Sequence, residues 1–208
     1  FDRVSEILEQ DNSLDFIKEF KDNTYTVVAG STWEEDEALF VNYINHVASE
    51  EEKFIIAPHN IKQDSIIQLQ KALHNKAVLF SEKSNKNLKE YQVFIIDTIG
   101  VLTKIYSAAD TAYVGGGLKT GLHNILEPAT FGVPIVIGNN YGKFKEAVDL
   151  VTLKGVVSIE NQEEFTTILR SLKNDDLFRK STGEINKNYI QDNVGATQSI
   201  LKWMQQKI

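Results

Sequence analysis

The chain has 208 residues, 42% of them hydrophobic and 25% charged, and carries a net charge of −7. That length suits one sizeable domain and does not require two, and the acidic balance argues against a protein that tracks nucleic-acid phosphates. Cysteine is absent, which excludes disulfides, thiolate metal sites and thiol nucleophiles and fits a reducing compartment.

The chain opens on Phe1 rather than methionine, so a preceding segment is expected. Residues 1–21 are helical in pattern and carry no strand. The first short apolar run is "TYTVVAGS" (24–31). It is followed by "EEDEALFVNYINHVAS", whose apolar positions 39, 40, 43, 44 and 47 recur at helical spacing on one face. A second run, "KFIIAPH" (53–59), precedes the helix-period "IKQDSIIQLQKAL". Next come "KAVLFSE" (76–82) and "VFIIDT" (93–98), then helix-period "VLTKIYSAA". The run "TAYVGGG" (111–117) leads through a glycine-rich loop to a short helix expected near Asn124. "PIVIG" (134–138) and "GVVSI" (155–159) alternate with "KFKEAVDLVTL" and "QEEFTTILRSL". Helices are expected from about 175 onward, ending with "ATQSILKWMQQ". The strand runs are apolar nearly throughout, as strands covered on both faces must be. Their alternation with helices predicts an α/β fold with a parallel, doubly wound sheet. No apolar run approaches the ~18–20 residues that span a bilayer, and no signal peptide is visible.

Ligands of open parallel sheets sit outside the carboxyl ends of the strands. Those ends read "GSTWEE", "PHN", "DTIG", "GGGLKTGLHN" and "GNNYGK", so glycines and small polar residues gather on one rim. The triple glycine, with Gly116 and Gly117, either cradles a phosphate with its backbone or makes a tight turn that needs positive φ. It matches neither the dinucleotide fingerprint nor the P-loop. Asn124 and Glu127 have capping-box spacing. Alternatively, Glu127, a carboxylate that only accepts hydrogen bonds, suits the vicinal diol of a ribose. Pro128 in the opening turn and Pro134 after Gly132 pin the short helix at both ends. His59, at a strand end, is a solvated loop residue or a phosphate or base contact. His123 braces the loop or touches ligand. His46 and His74 read as surface residues, and the four histidines are too scattered for zinc. "WEEDE" resembles a metal cluster but reads as the acidic start of a helix. Ser31 and Thr32 are natural caps for that helix, with hydroxyls on the rim. No nucleophile elbow is present.

"GSTWEEDE", "IIAPHNI", "IDTIGVLTKIYSAADTAYVGGGL" and "GLHNILEPATFGVPIVIG", in that order, resemble the C-terminal half of 3-deoxy-D-manno-octulosonic acid (Kdo) transferases. The glycine-loop, His-Asn and Leu-Glu-Pro block is the fairly specific part; Glu-Pro-Ala with Gly-x-Pro is shared by many GT-B glycosyltransferases. The resemblance runs over nearly the whole chain. It implies a Rossmann-like half of a GT-B enzyme, a CMP-Kdo donor, a lipid A precursor as acceptor, no metal and no cofactor. It also implies a role in lipopolysaccharide assembly at the cytoplasmic side of the bacterial inner membrane. The nucleotide contacts it implies fall on Pro58 and His59, on Ile99, Gly100 and Val101, and on Asn124, Ile125, Leu126 and Glu127. The catalytic base and any membrane contact would belong to an N-terminal domain outside this chain, so this chain alone would bind donor without completing transfer. The sequence departs from the family at four places. His59 stands where many members have arginine, which makes the charge offered to a phosphate pH-dependent. Val101 replaces a common glutamate, Leu122 a glycine and Ile125 a proline. A UDP-sugar transferase, a UDP-GlcNAc 2-epimerase or a non-catalytic nucleotide-binding module are the competing readings.

Overall fold

The computed structural model describes residues 1–74, 76–119 and 121–195. The expected terminal helix at 196–206 lies outside the described residues. Three short elements open the chain: α1 (Asp2–Ser5), a 3-10 turn (Glu6–Glu9) and α2 (Asp15–Lys21). The remainder runs β1 (Tyr25–Thr32), α3 (Glu34–His46), β2 (Glu52–Pro58), α4 (Gln63–Ala72), β3 (Ala77–Leu79) and β4 (Val93–Ile95). It continues with α5 (Leu102–Ile105), β5 (Thr111–Val114), α6 (Leu126–Thr130), β6 (Ile135–Gly138) and α7 (Lys145–Leu153). The chain then forms β7 (Val156–Ile159), α8 (Gln162–Asn174) and α9 (Asp176–Asn193).

All seven expected strands form, and they pair in the order β3-β4-β2-β1-β5-β6-β7, each pair parallel. Side chains alternate between faces along a strand, which divides the core in two. Val27 and Ala29 share one face with Phe54, Ile56, Tyr113 and Val136, covered by Phe40 and Ile44 of α3, Ile66 and Leu69 of α4, and Phe165 of α8. Phe40 meets Tyr113 and Phe165 edge-on, at 5.3 and 4.9 Å between ring centroids, a geometry that adds about 0.5–1.5 kcal/mol per pair beyond burial. Val28, Ile55, Phe94, Ala112 and Ile135 share the opposite face with Phe20, Ile105, Ala129, Leu150 and Ile190. Helices on both faces explain why the strand runs are apolar at nearly every position.

The elements depart from expectation where polar side chains intercept the backbone. The run at 76–82 yields only three paired residues before a 3-10 turn, because the Asp97 carboxylate accepts the Ser81 N–H at 2.9 Å. The helix expected at 101–109 is the four-residue α5 followed by a 3-10 turn. The opening helical segment breaks after the first 3-10 turn, where the Asn12 amide donates to the carbonyls of Ile7 and Gln10.

Two features position the rim. Asn186 of α9 is fully buried and donates to the carbonyls of both Val133 and Gly155 at 2.7 Å. It thereby fastens the last described helix to the turn between α6 and β6. The strand order also reverses beside β1: the chain passes to β2 on one side, and β5 pairs with β1 on the other. The crevice outside the carboxyl ends of β1 and β5 is thus the switch point where open α/β sheets take ligands. Among the described residues no helix is long and apolar enough to cross a membrane.

Candidate functional site at the switch point

β1 ends irregularly. Its register with β2 shifts between Gly30 and Thr32, and Ser31 takes a left-handed φ of 53°, unusual for a residue with a Cβ. The acidic cluster that follows opens α3, in keeping with the dipole reading. Its cap differs from expectation: Trp33, rather than Ser31 or Thr32, precedes the helix, and its N–H is taken by the Asp36 carboxylate at 2.9 Å. Asp36 is buried and accepts two further bonds, from the Gly116 N–H at 3.0 Å and the Tyr113 hydroxyl at 2.6 Å. One side chain therefore ties the helix start, β5 and the glycine loop together.

The Thr32 hydroxyl turns away from the crevice and donates to Glu37 at 3.0 Å. Burial pushes the Glu37 carboxyl up to about 7, with Asp36 and Glu34 adding to the shift and the Thr32 hydrogen bond opposing it. A raised carboxyl pKa favours the proton-bound fold, so this group costs nothing below the ordinary value of 4.5. The cost grows as pH rises from there towards 7 and is constant above. Glu37→Gln is expected to remove that slope. The variant should gain on the order of 1 kcal/mol at pH 8, discounted for partial exposure, and nothing at pH 4.5, read by urea unfolding at the two pH values.

The glycine loop closes on itself. The Gly115 N–H goes to the Gly30 carbonyl, the Lys119 and Gly121 N–H groups to the Gly116 carbonyl, and the His123 N–H to the Gly115 carbonyl. Gly116 and Gly121 have φ of +88° and +114°, and Gly117 lies against the backbone of Gly138 with no room for a Cβ. The positive φ of Gly116 and Gly121 fits the tight-turn reading, and of the triplet the Gly115 and Gly116 N–H groups already have partners in Gly30 and Asp36.

The short helix starts at Leu126, two residues later than expected, and spans five residues. Its one turn has little dipole to offer an anion, and its first N–H is taken by Asn124 Oδ1 at 3.0 Å. Pro128 occupies the opening turn, and Gly132, with φ +67°, ends it. Asn124 and Glu127 do meet, though not as a reciprocal capping box: Glu127 Oε1 accepts from the Asn124 side-chain amide at 3.1 Å. Its other oxygen accepts from the Thr103 hydroxyl at 2.7 Å. The carboxylate is held by two side chains and faces a cavity of about 280 Å³ shared with Ser31, Gly100, Thr103, Tyr106, His123 and Asn124.

Five predicted residues, Ser31, Gly100, His123, Asn124 and Glu127, thus converge on one cavity. A larger groove of about 680 Å³ continues from Gly100, Asn124, Leu126 and Glu127 past Lys104 to Arg3 and Gln10. Pro58 ends β2 opposite Thr32, Val101 precedes α5, and Ile99 stands 83% exposed beside them. Ile125 is 4% exposed and part of the core, so only its backbone is open to a ligand role, and Thr32 and Gly117 face elsewhere. Thr103 and Tyr106 escaped the sequence reading. They stand three apart along α5 and the 3-10 turn that follows it, and both line the cavity together with Gly100. Lys104 and Arg3 escaped it too.

His59 and His123, far apart in sequence, stack face to face at 4.5 Å and 27°. Trp33 joins them. Its ring lies 4.6 Å from His59 and nearly parallel to His123, at 6.4 Å and 10°, and its indole N–H donates to His123 Nε2 at 3.0 Å. Burial, with His59 adding, holds the His123 imidazole below its ordinary value, and Asp36 opposes the shift. His46 and His74 are exposed, as expected. No group of three or more His, Asp or Glu side chains suited to a metal forms among the described residues.

No family model matches the chain. Curated relatives do. The 3-deoxy-D-manno-octulosonic acid transferase of Rickettsia typhi is 29% identical over 160 residues, covering 74% of this chain and 34% of that protein. That of Chlamydia trachomatis is 26% identical over 186 residues, covering 88% of this chain and 42% of that protein. This chain is a relative of the Kdo transferases. It spans less than half the length of each of these two relatives. Its fold is that of a GT-B C-terminal domain. The C-terminal CMP-Kdo binding domain of WaaA from Acinetobacter baumannii superposes with a TM-score of 0.72 at 22% identity, covering 86% of this chain and all of that one. This Kdo-transferase relative thus carries its glutamate cavity at the switch point of a Rossmann-like domain.

Proposed function

We propose that this chain is the donor-binding half of a Kdo transferase and that it holds the CMP moiety of CMP-Kdo. The observation that carries the reading is the Glu127 carboxylate, braced by Thr103 and Asn124 and open to the cavity at the sheet's switch point. Both its oxygens accept, which suits the two adjacent hydroxyls of a ribose. The nucleoside lies over the backbone around Gly100, the ribose on Glu127, and the phosphate towards His59 and His123. With α6 a single turn, the phosphate's charge is met by the histidine side chains rather than by helix-terminal N–H groups.

An N-terminal domain outside this chain supplies the lipid A precursor site, the membrane contact and the carboxylate base, at the cytoplasmic face of the bacterial inner membrane. That base takes the proton of the acceptor hydroxyl. The new bond forms at the anomeric carbon of Kdo as its bond to the CMP phosphate breaks, and CMP leaves with the electron pair. Positive groups facing the departing phosphate are worth a few kcal/mol in such sites. No metal enters this scheme. Calorimetric titration of the chain with CMP, UMP and UDP is expected to give the tightest binding for CMP. A clear preference for UDP would assign the site to a UDP-sugar enzyme instead.

A further inference from the structure

The Trp33, His59 and His123 cluster has a consequence for how the site handles charge. His59 lies about equally far from the Trp33 and His123 rings, at 4.6 and 4.5 Å, and those two rings are nearly parallel to each other. Because the indole N–H donates to Nε2 of His123, that nitrogen must be bare, and neutral His123 carries its proton on Nδ1. Protonating His123 would set two donors against each other and bring a like charge within 4.5 Å of His59 whenever His59 is charged. His59 takes no hydrogen bond from the indole N–H, and its ring faces the Trp33 ring at 4.6 Å.

We propose that Trp33 is a positioning residue that makes the two histidines a one-proton pair, with the charge on His59 and His123 fixed as the neutral Nδ1–H tautomer. The part concerning the ligand rests on the donor-site reading above: His59, exposed and stacked on the cavity-lining His123, then offers a phosphate one positive charge at the cavity's edge. Other charges surround the cluster. Asp36 lies beneath the Trp33 backbone. Glu34, Glu37, Lys62 and the Glu35–Lys119 ion pair border Trp33 on its outer side, and Glu127 shares the cavity of His123. Of these, Asp36 acts on His123 and favours its cation, and the indole N–H opposes that.

Long-range ¹⁵N-detected NMR of the ligand-free chain, titrated from pH 8 to pH 5, reads both tautomers and both protonations. The expected result is a bare Nε2 on His123 throughout, with one proton taken up, on His59. In Trp33→Phe, which keeps a ring under His59 and loses the N–H, His123 should lose its tautomer preference and titrate at higher pH than in the wild type. Once the second protonation of the CMP phosphate itself, at about pH 6, is accounted for, CMP affinity should show one linked proton from the protein in the wild type and a steeper linkage in the variant. An Nε2–H tautomer on wild-type His123 would overturn the proposal, even if Trp33→Phe failed to fold. So would a Trp33→Phe variant whose histidines titrate unchanged. The expected tautomer in a chain that binds no CMP at any pH would support the proton pairing and refute the nucleotide reading, so the two fail separately.

Discussion

Asp36→Ala is expected to cost the fold about 3–5 kcal/mol, read as a fall in the urea midpoint. Alanine would orphan three donors at once, the N–H groups of Trp33 and Gly116 and the hydroxyl of Tyr113. Each buried donor left without a partner costs about 1–3 kcal/mol, partly relieved when water enters. Asp36→Asn separates this from a simple loss of volume. Its amide oxygen can accept the two N–H groups while its NH₂ donates to the Tyr113 oxygen, so the loss should stay near 1 kcal/mol. The alanine variant should also weaken nucleotide binding, because the glycine loop and the start of α3 lose their common anchor. An alanine cost as small as that of asparagine would mean that Asp36 does not hold the rim together.

Glu127→Ala is expected to weaken CMP binding by about 1–3 kcal/mol, roughly 5- to 150-fold in Kd. Stability should change by less than about 1 kcal/mol, since the carboxylate is only half-buried and its two partners can turn to water. Removing the ribose 2′-hydroxyl provides the complementary change. In the wild type, 2′-deoxy-CMP should bind more weakly than CMP; in the alanine variant the two should bind alike. That coupling is the signature of a direct contact. Unchanged CMP affinity in Glu127→Ala would favour a nucleotide-independent role for the glutamate, as part of the turn that joins it to Asn124 and Thr103.

The sheet was legible because strands covered on both faces are apolar at almost every position, and seven such runs stand out from the polar segments between them. The rim was legible for a related reason: glycine and small polar residues cluster wherever these strands end. What stayed hidden were encounters between residues distant in sequence. Trp33, His59 and His123 come from three different strand ends, and nothing local in the sequence distinguishes a stacked histidine from a solvated one. Asp36 read as one acidic residue among four at a helix start, and its role depends on β5 and the glycine loop arriving beside it. The start of α6 was set two residues too early because Asn124 has the chemistry of a cap. It does cap, but through its side chain to Leu126, from just outside the helix. Glu127 was singled out correctly as a residue on the rim, yet its brace, Thr103, lies 24 positions upstream. The polar surroundings of the glycine triplet suggested an anion cradle, whereas the N–H groups of Gly115 and Gly116 are spent on the Gly30 carbonyl of β1 and on Asp36.

The most direct measurement is a crystal structure of this chain grown with CMP. The ribose hydroxyls are expected within hydrogen-bonding distance of the Glu127 carboxylate, with the base against the Gly100 backbone and the phosphate beside His59. A cavity without nucleotide, or a nucleotide bound out of reach of Glu127, would contradict the donor-site reading.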